Sequence, residues 1–206
     1  MEDFKLSKFP KWLTAVIILC IVGFCAYSCT AGQYNKLVAL EENVDSAWAD
    51  VQNQYQRRLD LIPNLVSTVK GYAKHENEVF TNISEARASA GGKINVNSEV
   101  LSDPDAFERY QKVQDNLGAS LQRLLMITEN YPALKADQNF LALQDQLEGT
   151  ENRITVARKR YNDAAKTYNV KIRSFPASII ANSKGFEKKV YFTASQEAQN
   201  APKVEF

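Results

Sequence analysis

His75 and Glu76 are the first residues to weigh for chemistry. A histidine followed by a glutamate opens the HExxH pattern, which sets two zinc ligands on one helical face with a carboxylate base beside them. The run here is His75-Glu76-Asn77-Glu78-Val79, and the chain has one His in all. A zincin site is therefore excluded. His75 is also the only base available to a Ser/His/Asp arrangement, and no GxSxG turn accompanies it. The three cysteines, Cys20, Cys25 and Cys29, lie near the N-terminus, so the body has no disulfide, no thiol nucleophile and no cysteine-based zinc site. No GxGxxG or GxxxxGK[ST] loop occurs. The 25 basic and 24 acidic residues are interspersed, without the basic face that a nucleic-acid binder needs. The expectation is a protein without catalytic residues, metal or cofactor.

The elements that must position the remaining residues begin with an apolar run. Residues 12–31 carry no charge, with Trp12 and Tyr27 toward the two ends. About 20 such residues cross a hydrocarbon layer of ~30 Å, and aromatic residues favour its edges. Lys5, Lys8 and Lys11 precede the run, whereas Glu41, Glu42, Asp45 and Asp50 follow it. The positive-inside rule then places residues 1–11 in the cytoplasm, 12–31 as a single-pass transmembrane anchor, and the body outside. A cleaved signal peptide and a lipoprotein modified at Cys29 are the competing readings; Tyr27 suits neither processing site.

From Tyr34 onward the apolar period is 3.6, so the body is all-α. The stripes run Leu37 to Ile62, Leu65 to Ala86, Phe107 to Tyr131, and Phe140 to Ile172. Asp103-Pro104 reads as a helix start, and Tyr131-Pro132 and Phe175-Pro176 as helix ends. Pro63 leaves two readings open. A turn there gives a long antiparallel four-helix bundle; a kink leaves the first two helices continuous. The turn is preferred, because a kinked helix leaves the stripe around Trp48 without a partner within the chain. Folding at Pro63 and near residues 97 and 133 brings Glu76, Gly118, Gly149 and Trp48 to one layer, with the two glycines in close approach. A polar core layer of His75, Glu76, Glu151, Asn152 and Arg153 is expected there, because the stripes lapse at those positions. Arg57, Arg58, Asp60 and Pro63 join Tyr131 and Pro132 at the other end as a candidate docking surface. Arg158-Lys159-Arg160 reads as a solvated helix face. The bundle is expected over 33–175 and a tail over 176–206.

Two blocks carry a family resemblance. Residues 34–76 read YNKLVALEENVDSAWADVQNQYQRRLDLIPNLVSTVKGYAKHE, and residues 131–175 read YPALKADQNFLALQDQLEGTENRITVARKRYNDAAKTYNVKIRSF. With Gly185-Phe186 and Ala201-Pro202-Lys203-Val204, they resemble the LemA family. The resemblance implies a bacterial envelope protein in the inner membrane, with a bromodomain-like four-helix body outside the cytoplasm. It implies no activity. Its members are often encoded near membrane proteases, which hints at partners only. Two functions follow as expectations: a structural scaffold or self-assembling interaction module, or an adaptor that regulates a membrane protease or another envelope enzyme.

Overall fold

Buried positions recur every three or four residues from Val44 to Val69, straight through the region of Pro63. They belong to one helix. The computed structural model describes residues 11–92 and 98–193. Its elements are α1 (Lys11–Tyr72), α2 (Asn77–Gly91), a 3-10 turn (Ser98–Leu101), α3 (Pro104–Thr128), α4 (Pro132–Lys135), α5 (Gln138–Arg173) and α6 (Ala177–Lys184). No β-strand occurs among the described residues.

The second half of α1 and all of α5 form the long antiparallel pair on which the bundle is built. Its register is fixed by three hydrogen bonds: Tyr168 to Glu41, Arg58 to Glu151, and Tyr72 to Asp137. Each step up α1 is matched by an equal step back along α5. The α2–α3 hairpin covers the distal part of this pair, and α6 folds back against α1 and α5 at the other end. Local chemistry sets the helix starts, as expected at Asp103-Pro104. The Asp103 side chain accepts from the Asp105 and Ala106 amides ahead of Pro104, and Asp137 does the same for Asn139 and Phe140 at the start of α5.

The turn preferred at Pro63 is corrected: the chain takes the continuous alternative, as α1 is a single helix of 62 residues with Pro63 inside it. A proline in a helix has no N–H for the carbonyl four residues back, here that of Leu59. Arg87 of α2 supplies the missing donor, its Nε giving a 3.2 Å hydrogen bond to the Leu59 carbonyl oxygen. The stripe around Trp48 does find partners within the chain, in α3, α5 and the segment after α6. The coupling of Pro63 and Arg87 is testable. Arg87→Ala is expected to cost about 1 kcal/mol of stability in the native background. It should cost clearly less beside Pro63→Ala, where residue 63 recovers an N–H for Leu59. Equal costs in the two backgrounds, by chemical denaturation, would refute the rescue.

The loop-centred register is corrected too. Asn82, Ala86 and Ser89 of α2 line one groove with Val113, Asn116 and Ser120 of α3, while Glu76 accepts a 3.2 Å hydrogen bond from Tyr131. The reason is that α2 ends beside Leu59, whereas α3 begins beside Trp48. The connection therefore travels about 16 Å along the bundle axis, at 1.5 Å per helical residue, instead of turning in place. Gly118 and Gly149 do not meet. A Cβ on Gly118 would approach only Arg58 Nη1, at 3.8 Å, and one on Gly149 would find nothing within 4 Å.

The expected anchor is helical, but it forms the first turns of α1 rather than a separate element. Val16, Ile17, Ile18, Leu19, Ile21, Val22 and Phe24 are all exposed there. Among the described residues no helix is long and apolar enough to cross a membrane. The longest unbroken described apolar stretch is 15–24, since the side chains of Thr14, Cys25, Ala26 and Cys29 fall outside the described set. Residues 1–10, the centre of the second loop at 93–97 and the tail beyond Thr193 also lie outside the described residues.

Candidate functional site

The chemistry-bearing residues of the body gather halfway along the α1–α5 pair. Arg58 is only 2 % exposed. A buried guanidinium seeks acceptors for its N–H groups, and Arg58 bridges two helices with its two terminal nitrogens, while its Nε has no protein acceptor. Its Nη2 donates to Gln114 Oε1 at 2.7 Å and to the Gln114 carbonyl at 3.1 Å, both on α3; its Nη1 donates to Glu151 of α5 at 3.2 Å. Arg158 of α5 reaches the same level from the opposite side. Its Nε donates to the Tyr55 hydroxyl at 2.7 Å and its Nη2 to Asp115 at 3.1 Å. Both guanidiniums lie over the Tyr55 ring, 5.1 and 5.5 Å from its centroid. Adjacent residues of α3, Gln114 and Asp115, thus each receive one arginine, which ties α1, α3 and α5 together at one level.

Immediately toward the N-terminal end of α1 is an aromatic box. The Trp48 ring lies 5.1 Å from Tyr110, 5.6 Å from Tyr161, 5.9 Å from Phe107 and 6.0 Å from Phe192. Phe192 belongs to the extended segment after α6, and α5 holds that segment by its backbone. Asn169 accepts from the Lys189 N–H at 2.9 Å and donates to the Lys189 carbonyl at 2.8 Å. Asn162 does the same for Phe192, at 2.9 and 3.0 Å. Tyr161 donates to the Val190 carbonyl and Gln111 to that of Thr193, both at 2.8 Å, and the Val190 N–H donates to Leu101 at 2.7 Å. The geometry is a pitch match: seven helical residues rise about 10.5 Å, and three extended residues span about 10 Å. Two asparagines seven apart can therefore clasp residues three apart on an antiparallel strap. Buried Lys189 completes it with a 2.9 Å ion pair to Glu41.

The electrostatics of this centre oppose acid–base chemistry. Burial, first of all, pushes the Tyr55, Tyr110 and Tyr161 hydroxyls above the ordinary tyrosine range; the arginines only partly offset it at Tyr55 and Tyr110. For Arg158 burial opposes the charge, but Tyr55 and Asp115 outweigh it and raise its pKa. Guanidiniums and protonated phenols offer neither a base nor a nucleophile. Among the described residues no three His, Cys, Asp or Glu side chains are grouped to hold a metal ion.

The residues singled out from the sequence are placed as follows. Glu151 is in the arginine layer. His75, Asn152 and Arg153 are exposed, and Glu76 lies at the distal end under Tyr131. Of the docking set, Arg58 is buried in the layer. Arg57, Asp60 and Pro63 are exposed halfway along α1, with Asp60 accepting from Gln56. Tyr131 and Pro132 stand apart from them at the distal end, because α1 continues past Pro63. Arg158, expected on a solvated face, turns inward. The sequence reading missed Gln114, Asp115, Asn162, Asn169 and Lys189. The asparagines did leave a signal: Tyr161-Asn162 and Tyr168-Asn169 repeat one dipeptide at heptad spacing.

Comparison with known proteins bears on the same region. The model of the LemA family matches residues 47–206, which include the box, the layer and the strap. This chain belongs to the LemA family. Similar proteins include magnetosome protein MamQ 2 of Paramagnetospirillum magneticum, 28% identical over 204 residues, covering 91% of this chain and 74% of the relative. The MamQ of Magnetospirillum gryphiswaldense is 28% identical, over 87% of this chain and 71% of the relative. Protein LemA of Metamycoplasma hominis is 22% identical over 82% of this chain and 73% of its own length. The family match begins at Ala47, so the apolar first turns of α1 lie outside it.

Proposed function

We propose that this LemA-family protein is a membrane-anchored, non-catalytic structural scaffold of the bacterial envelope that holds its body upright at a fixed distance from the bilayer. The observation that carries the reading is the continuity of α1: the uncharged, outward-facing apolar turns and the core of the bundle belong to one helix. A helix that is apolar all round and has no protein covering it suits lipid. The whole run 12–31, flanked by lysines on one side and by exposed Trp12 and Tyr27, supports a single-pass anchor with the N-terminus cytoplasmic. From Gly32 to Tyr72 the helix rises about 60 Å, which sets the spacing. The name magnetosome protein, borne by three of the relatives, names no reaction, in keeping with a structural role.

Alkaline carbonate extraction tests the anchor. The full chain should stay with the membrane pellet, whereas Ile18→Arg/Leu19→Arg should be released, as each arginine costs about 2.5–3.5 kcal/mol at mid-bilayer. Release of the native chain would sink the reading. An adaptor role has one specific support. At the distal end a groove of about 450 Å³ between α3 and α5 exposes Met126 (66 %) and Leu141. Photocrosslinking from position 126 separates the two: adducts with a single envelope enzyme would favour the adaptor.

A further inference from the structure

The α5–α6 corner is another place where large apolar side chains are left uncovered. Phe175 is 83 % and Ile179 63 % exposed, and Val170 is exposed beside them. The corner is anchored from beneath, with Ile172, Ala177 and Ala181 buried in the cluster that includes Leu37. The α1–α5 register puts Phe175 level with Tyr34, one helical turn above Ala31, where the apolar run ends. Three residues of helix rise about 4.5 Å, and the headgroup layer on each side of a bilayer is about 5–7 Å thick. The charges nearest the corner are basic, and the carboxylates Glu41, Glu42 and Glu187 lie just beyond them. Stretches 28–40 and 170–186 contain Lys36, Lys171, Arg173 and Lys184 and no carboxylate.

We propose that the α5–α6 corner is a second membrane contact, with Phe175 and Ile179 seated among the headgroups and the four cations on anionic phospholipid; it rests on the anchored reading above. Aromatic and aliphatic side chains favour the interface, and basic residues near an anionic surface are attracted over about a Debye length. With the anchor as one point and the corner as the second, the bundle is held against rotation about the anchor axis.

The test uses the full chain, with Cys20, Cys25 and Cys29 replaced by alanine, in bilayers of phosphatidylcholine with phosphatidylglycerol. Spin labels are placed singly at Asn182→Cys, Leu19→Cys and Met126→Cys, and their collision with oxygen and with a water-soluble nickel complex is measured. The label at 182 should be shielded from nickel relative to 126. Phe175→Asp/Ile179→Asp should return it to the value at 126 and leave 19 unchanged. Nickel access at 182 equal to that at 126, with 19 still in lipid, would overturn the corner contact and leave the anchor standing. Water access at both 182 and 19 would overturn the anchor, and the corner with it. Equal shielding in pure phosphatidylcholine would overturn the preference for anionic lipid.

Discussion

Replacing Asn162 and Asn169 together with alanine is expected to lower the stability of the bundle by about 3–5 kcal/mol and to open the Lys188–Lys189 region to trypsin. Each asparagine satisfies one N–H and one C=O of the strap, and the Asn169 pair is buried. Alanine cannot replace either bond, so four backbone groups lose their partners at about 0.5–1.5 kcal/mol each. If the strap lifts away, Phe192 leaves the Trp48 box, and exposing a phenylalanine costs about 1.5–3 kcal/mol more. Asn169→Asp separates the two halves of the clasp. The carboxylate still accepts from the Lys189 N–H but has no donor for the Lys189 carbonyl, so it should lose more than half of the Asn169→Ala effect. An unchanged denaturation midpoint and a protected strap in the double variant would sink the clasp.

The second large effect is expected at Arg58. Arg58→Ala should destabilise by about 3 kcal/mol, the low end of the range for breaking a buried ion pair. The low end applies because Glu151 keeps 43 % of its side chain exposed and can recover water, whereas buried Gln114 cannot. Arg58→Lys should rescue little. A single ammonium cannot reproduce the fork that reaches Gln114 and Glu151 at once. Arg58→Met, which fills the space without a charge, should cost less than alanine, as replacing a buried ionic group by an apolar one often does. Equal midpoints for all three variants would show that the layer does not hold α1, α3 and α5 in register.

How far these features can be read in the sequence differs from one to the next. The all-helical body, the Asp103-Pro104 start and the buried stripe of α1 follow from periodicity and capping, which act within a few residues. The helix through Pro63 does not follow, because its missing donor comes from Arg87, twenty-four residues away on another helix. The α2–α3 register was out of reach for a related reason: a loop's length says nothing of how far it climbs along the axis. Arg58 reads as a surface charge next to Arg57, yet the step from Tyr55 puts it on the buried face. The strap was the least legible element, since its pairing is side chain to backbone and leaves no period in residues 186–193. Only the Tyr-Asn repeat on α5 betrays it.

The unbroken path of α1 has a mechanical consequence. In the anchored reading the bundle is the long arm of a lever whose short arm lies in lipid. Transmembrane helices tilt by about 0–40° as bilayer thickness varies. With an arm of about 60 Å, a 10° change of tilt sweeps the distal groove sideways by about 10 Å, roughly the width of one helix. The position of Met126 and Leu141 over the membrane surface would then report the thickness of the bilayer beneath them.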